Sequence, residues 1–401
     1  MLLLLVRSEV KMMNNSKANT KRMCKHFKRC GGCQLDMPYD QQIQWKQDKA
    51  RRILSQFADV SLIVPMETPY NYRNKVQTVF RRIKKNEILS GVYQSSSGNM
   101  VAVDDCKLES KESQYVVSVF KQLMKSFKIM PYDEKSGKGL IRHVLFRNGL
   151  HTGEIMLCIV TSTPIIPSKK QFVNALIKKC PEITTIVQNV CTNPLPLTLG
   201  NKEYILYGKG YIEDIICGHK FRISSQSFYQ VNPIQTEKLY NIVTERAALK
   251  KSDTIIDAYC GTGTIGIICA PYVKEVIGVE LNQFACKDAV SNAKFNDIKN
   301  ITFYNCDAGQ FIEEYANTNK KADVVIMDPP RAGSDKRFLY SLKKLSPERV
   351  VYVSCKIETL ARDLRLLKKI GYKAEFIQPV DMFPHTTGIE TVVILKKKNS
   401  I

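Results

Sequence analysis

Residues 254–266 read TIIDAYCGTGTIG: a short apolar run closed by Asp257, then Gly261, Gly263 and Gly266 in G-x-G-x-x-G spacing. Small residues let a chain turn sharply and approach a ligand, and the helix that follows offers free N–H donors. Glu280 ends a second apolar run, VIGVELN, where a carboxylate can accept both hydroxyls of an adenosine ribose. The pattern alone suits NAD, FAD and S-adenosylmethionine (SAM) alike, and a plain tight turn satisfies it too.

Around this stretch strands and helices alternate. Strands are expected at Thr254–Asp257, Val276–Glu280, Ile301–Tyr304, Val324–Asp328 and Val350–Ser354, with AEFIQPV and TVVILKK as a final pair. That rhythm predicts an α/β fold with a doubly wound, mainly parallel sheet over residues 236–401. Ligands then sit at the carboxyl ends of its strands. MDPPR, residues 327–331, ends the fourth strand. Its two prolines stiffen the loop and hold Asp328 at the sheet edge. An Asp-Pro-Pro turn there is similar to SAM-dependent methyltransferases acting on nucleobases and amides, and it favours SAM over a nicotinamide.

VVYVSC, residues 350–355, is a buried-strand pattern ending in Cys355 on the same rim. A thiol there is either a nucleophile or a small buried hydrophobe. Lys356, Arg362 and a helix start near Ile357 are expected to lower its pKa. Cys260 in the glycine loop is the rival candidate.

Upstream, residues 21–235 read as α+β with an antiparallel sheet. Residues 41–57 have helical spacing with a basic face, residues 70–93 read as a hairpin turning near Asn86, and LIRHVLFRNG, GEIMLCIVT and TTIVQNVCT read as further strands. Residues 1–20 read as a flexible arm. CKHFKRCGGCQL, residues 24–35, groups three of the 13 cysteines. No run approaches the roughly 20 apolar residues of a membrane span, and no signal-peptide core is present. The chain is therefore expected in the cytoplasm, where thiols stay free, bind metal or do chemistry, so a disulfide scaffold is excluded as a default.

The formal net charge of +22 attracts polyanions, with nucleic acid or an anionic membrane as the leading partner classes, although it also aids solubility alone. Lys21, Arg22, Lys25, Lys28, Arg29, Lys46, Lys49, Arg51, Arg52, Arg73, Lys75, Arg81, Arg82, Lys84 and Lys85 are candidate phosphate contacts. Phe27, Tyr70, Tyr72 and Phe80 are candidates to stack on bases.

DPPR, then SC-xxx-TLARDL (Ser354 to Leu364), then FPHT-xx-IE (residues 383–390) together resemble the RNA uracil-C5 methyltransferases, in particular the bacterial 23S rRNA branch. FYQVN, residues 228–232, and the cysteine cluster match as well. The resemblance spans residues 24–396 and implies SAM as cofactor, RNA as partner (23S rRNA foremost) and 5-methyluridine as product. It implies Cys355 as the nucleophile that adds to C6 of uracil and Glu390 as the base that removes the C5 proton. Gln230, Tyr259, Glu280 and Asp328 fall on SAM-contacting positions, and Asp307 lies near the adenine side.

The resemblance also makes Cys106 the fourth ligand beside Cys24, Cys30 and Cys33, and the group a [4Fe–4S] cluster; four thiolates equally suit zinc. Lys356-Ile357 replaces an Asn-Pro usual after the nucleophile, Gly388 a polar residue, and Thr264 a frequent Asn. Only 23 residues precede Cys24, so the N-terminal TRAM barrel of many relatives is expected to be absent. A tRNA T-loop uridine methyltransferase and a non-catalytic RNA-binding assembly factor are the competing readings.

Overall fold

The computed structural model describes residues 24–84, 87–94, 97–193, 195, 197–318 and 320–398. The arm expected at 1–20, Lys21, Arg22, Lys85 and the turn at Asn86 lie outside the described residues.

A helical turn, α1 (Phe27–Cys30), and the helix α2 (Tyr39–Leu54) precede a seven-stranded sheet. Its strands are β1 (Lys75–Lys84), β2 (Glu87–Tyr93), β3 (Met100–Ala102), β4 (Ile141–Asn148), β5 (Ile155–Thr161), β6 (Ile183–Val190) and β7 (Lys202–Tyr207), in the order β3-β2-β1-β4-β5-β6-β7. The β1–β2 hairpin is antiparallel as expected. The all-antiparallel expectation fails at β5–β6, which pair in parallel. The reason is α4 (Lys169–Lys179) between them: a helical crossover returns the chain to the same end of the sheet, which a tight turn cannot do. α4 and α3 (Lys111–Ser126) cover one sheet face, with Val76, Phe120, Val144, Phe146 and Phe172 in a shared core. α3 starts at Ser110, whose hydroxyl accepts from the Ser113 N–H at 3.2 Å, a standard helix cap. The other face meets a two-stranded ribbon, β8 (Ile212–Ile216) and β9 (His219–Ile223), which pattern reading missed because charged residues interrupt both strands.

After α5 (Pro233–Arg246) comes the second seven-stranded sheet. It holds β10 (Thr254–Ala258), β11 (Glu275–Val279), β12 (Ile301–Tyr304), β13 (Val324–Met327), β14 (Arg349–Ser354), β15 (Tyr372–Val380) and β16 (Glu390–Lys397). Between them run α6 (Thr264–Cys269), α7 (Gln283–Phe295), α8 (Ala308–Ala316), α9 (Lys336–Leu345) and α10 (Ile357–Lys369). The order β12-β11-β10-β13-β14-β16-β15 reverses between β10 and β13, which opens a crevice at their carboxyl ends. β14 is buried throughout, as its unbroken apolar run predicts.

β16 lies antiparallel between β14 and β15. Because it runs the opposite way, its first residue starts at the rim where β14 ends. The segment before β1 also joins this half: Val60 and Val64 bridge to Ile377 and Val380. Lys46 is fully buried against Asp381 at 2.5 Å, Tyr39 donates to the same carboxylate at 2.7 Å, and Gln42 brackets His385 through its side chain. Lys46 is thus an internal ion-pair partner, which corrects its place among the phosphate contacts. Tyr72 and Phe80 are likewise buried, Tyr72 donating to the Pro384 carbonyl at 3.1 Å, and neither is open to a base. Among the described residues no helix is long and apolar enough to cross a membrane.

Candidate active site

The register of β14 against β16 pairs Ser354 with Thr391. Cys355 and Glu390, the next residues outward on each strand, therefore face one another at the rim. Val380 flanks Glu390 from the other side. Asp328 follows β13, and its N–H reaches the Ala258 carbonyl at 3.4 Å. This brings the Asp-Pro-Pro turn beside the end of β10.

Glu390 is 4% exposed, and its chain neighbours Ile389 and Val392 are buried as well. Burial, reinforced by Asp328, pushes its carboxyl up to about 8, with Arg331 pulling the other way. Burial likewise pushes Asp328 up to about 7. Cys355 is half-buried, and burial first, then Glu390 and Asp328, pushes its thiol up to about 11 against Arg331. The expectation of a thiol acidified by Lys356 and Arg362 is therefore overturned. Arg362 turns away to Asp363 and the Ala332 carbonyl, and among the described residues the cation that lowers Cys355 is Arg331. Its place in the DPPR turn is readable from the sequence, whereas its nearness to the thiol depends on the fold.

The glycine loop lies at the other end of the crevice. Gly261 and Gly263 have φ of 56° and 77°, a left-handed backbone that suits glycine. Glu280 is fixed by two backbone donors, Gly261 N–H at 2.9 Å and Asn282 N–H at 2.7 Å. Each of its oxygens keeps a lone pair for a further donor. Asp257 lies within β10, accepts the Gly266 N–H at 2.7 Å, and keeps its other oxygen buried and unpartnered. Burial raises it to about 7. Tyr259 has φ of 62°, and its hydroxyl meets Ser334 at 2.9 Å.

The rival thiol Cys260 is buried beneath the loop among Asp257, Glu280 and Cys286, which with burial raise it well above its ordinary value. Asp307 caps α8 by accepting the Gln310 N–H on Oδ1, and the same oxygen pairs with Arg337. Thr264 shares its hydroxyl with Thr262 at 3.2 Å.

Gln230 bridges the two halves. Its carbonyl accepts from the Asn74 amide at 3.0 Å, and its side chain bonds Tyr240 on α5. Tyr240 is buried and lies within the field of Asp328, Asp257 and Glu390. Sequence reading missed it because a tyrosine on an amphipathic helix reads as core.

Cys24, Cys30, Cys33 and Cys106 line one cavity of about 250 Å³ with Phe27, Val92, Val103 and Leu108. Burial is the main cause that pushes Cys33 up to about 12 and Cys106 up to about 11. Among the described residues no three His, Cys, Asp or Glu side chains converge closely enough to hold a single metal ion.

A profile of the tRNA (Uracil-5-)-methyltransferase family matches residues 38–398. An uncharacterized RNA methyltransferase of Halalkalibacterium halodurans is 40% identical over 394 residues, covering 97% of this chain and 86% of that protein. One of Caldanaerobacter subterraneus is 40% identical over 393 residues, covering 97% and 87%. Among solved structures, the Pyrococcus abyssi tRNA (uracil-54, C5)-methyltransferase in complex with S-adenosyl-L-homocysteine superposes with a TM-score of 0.76 at 29% identity, covering 91% of this chain and 85% of that one. With a family match along most of its length and relatives this similar, the chain belongs to the tRNA (uracil-5-)-methyltransferase family.

Proposed function

We propose that this chain methylates C5 of a uridine in RNA, using SAM, with Cys355 as nucleophile and Glu390 as base. The observation that carries the reading is the β14–β16 register, which sets this thiol and this carboxyl face to face beside Asp328. Residues 21–235, apart from the segment before β1 that packs on the second sheet, then serve mainly to hold RNA, and residues 236–401 perform the transfer.

SAM, when bound, supplies an electrophilic methyl group. The crevice fits such a ligand: Glu280 is pre-set by two backbone donors for a ribose diol, and the positive-φ glycines leave room for close approach. In the proposed step Cys355 sulfur bonds to C6, and the electron pair moves to C5 as an enolate, which takes the methyl group. Glu390 removes the C5 proton; the pair left behind re-forms the C5–C6 double bond and expels Cys355. A base whose value lies near 8 is well matched to neutral conditions. The thiol must lose its proton against burial, so the two carboxylates set its ionisation as well as the later step.

The four thiols suit a [4Fe–4S] cluster better than one zinc ion. Their shared cavity is roomy, and no three of them converge on a single point. Bound there, a cluster would brace the segment around Arg73 and Tyr72, and the methyl transfer would need no electron from it. This thiol set favours 23S rRNA as substrate; the Pyrococcus likeness favours a tRNA uridine. Unmodified 23S rRNA and tRNA transcripts offered side by side with labelled SAM decide between them. Methylation of tRNA alone overturns the rRNA assignment, and no methylation of either overturns the enzyme reading.

A further inference from the structure

Two cations face each other behind the Gln230 loop. Lys75 on β1 and Arg147 on β4 are direct cross-strand partners. Like charges set opposite one another repel, and a buried cation without a partner is costly. Arg147 is 2% exposed; it donates to the Ser225 and Ser227 carbonyls, and its Nε has no partner. The carboxylate acting on it, Asp288, is already bound by the Ser227 hydroxyl at 2.6 Å.

Lys75 is half-buried, and among the described residues its ammonium has neither a hydrogen bond nor an ion pair. Burial and Arg147 together push its ammonium down to about 8. The pair is tied to the reacting cleft. Asn74, next to Lys75, bonds Gln230 and Val231 at 3.0 Å each, and Arg147 holds the carbonyls just before Phe228, which is 65% exposed.

We propose that Lys75 and Arg147 form a phosphodiester site at the cleft. Lys75 contacts a backbone phosphate of the strand whose uridine enters, and Arg147 adds its field from behind while fixing the Ser225–Ser227 turn. A preformed unpaired cation pair is what a site for an anionic ligand requires, and the net charge of +22 brings a polyanion to it. The identity of that polyanion rests on the RNA methyltransferase reading.

The test is filter binding of poly(U) across a KCl series to the wild type, Lys75→Met, Lys75→Gln and Lys75→Arg, with calorimetry of S-adenosylhomocysteine on each. Lys75→Met and Lys75→Gln should weaken poly(U) about tenfold and flatten the log–log salt slope by about 0.7, the share of one phosphate on a single strand. Lys75→Arg should keep both, and S-adenosylhomocysteine affinity should not change. Melting temperatures of the neutral variants should equal or exceed that of the wild type, because the repulsion is relieved. An unchanged slope, a lowered melting temperature, or loss of S-adenosylhomocysteine instead of poly(U) overturns the site. A wild type that binds poly(U) through Lys75 yet methylates no uridine sinks the enzyme reading and leaves this one standing.

Discussion

Two regions of the molecule hold half-buried thiols, and their neighbours differ. In the N-terminal cavity Cys33 stands among Cys106, Cys30 and Cys24 with Arg73 as the attractive charge. At the rim of the second sheet Cys355 stands alone among Glu390, Asp328 and Arg331. Both settings hold the sulfur protonated, with Cys33 at about 12 and Cys355 at about 11. A group of thiols sheds its protons when a metal replaces them. A single thiol beside carboxyls sheds its proton to a base, which is why the proposed turnover is assigned to the second setting. The lesson is that a raised thiol pKa does not by itself distinguish a ligand from a nucleophile; the adjacent groups do.

Replacing the rim thiol has the largest expected effect. Cys355→Ala should reduce methylation to background while RNA binding persists, and 5-fluorouridine RNA should no longer form a denaturant-stable adduct. Cys33→Ala should still form that adduct. Next, Glu390→Gln should slow turnover by roughly 10²–10⁴-fold. It should also let RNA-linked protein accumulate on denaturing gels, since addition proceeds and C5 keeps its proton.

The pH dependence sharpens the contrast. Glu390 must be ionised to act, so the rate should rise with pH up to about 8. Arg331→Met removes the cation that lowers both Glu390 and Cys355, and should move that rise to higher pH. Stability runs the other way. Glu390, Asp328 and Asp257 titrate at about 8, 7 and 7 when folded, above ordinary unfolded carboxyls. Between about pH 4.5 and 8 the native state therefore holds more protons, and stability should fall as pH rises through that window. Glu390→Gln should raise the melting temperature by a few degrees at pH 8.5 and change it little at pH 4. Cys106→Ser should have the smallest effect on turnover, under about tenfold. It should nevertheless lower the bound iron and its absorbance near 400 nm, and normal iron content in that variant would undo the cluster assignment.

Between the two thiol regions lies the buried Lys46–Asp381 pair, which Tyr39 also engages, just before the loop that leads to Glu390. Breaking such a pair leaves an uncompensated charge and costs about 3–5 kcal/mol, so Lys46→Met should show a matching loss in urea denaturation.

Much of the second sheet was legible in the chain. The five parallel strands follow from apolar runs separated by amphipathic stretches, and their ends fell within a residue of those expected. Cys355 stood out by its place at a strand end, and its role as nucleophile, like Glu390 as base, came from motif resemblance. The first half was less legible. The parallel β5–β6 pair depends on a crossover that local alternation does not encode, and charged residues break the apolar runs of β8 and β9. Lys46 read as a surface cation because its partner Asp381 is distant in the chain.

By itself the sequence determined the alternation of strands and helices, the glycine loop and the residue types at the strand ends, because these depend on local periodicity and turn chemistry. The tertiary structure alone decided which groups meet. Inserting β16 antiparallel between β14 and β15 set Glu390 opposite Cys355, and burial then moved both proton affinities upward. Long-range pairing and desolvation arise only once distant segments exclude water together, so no window of the chain contains them.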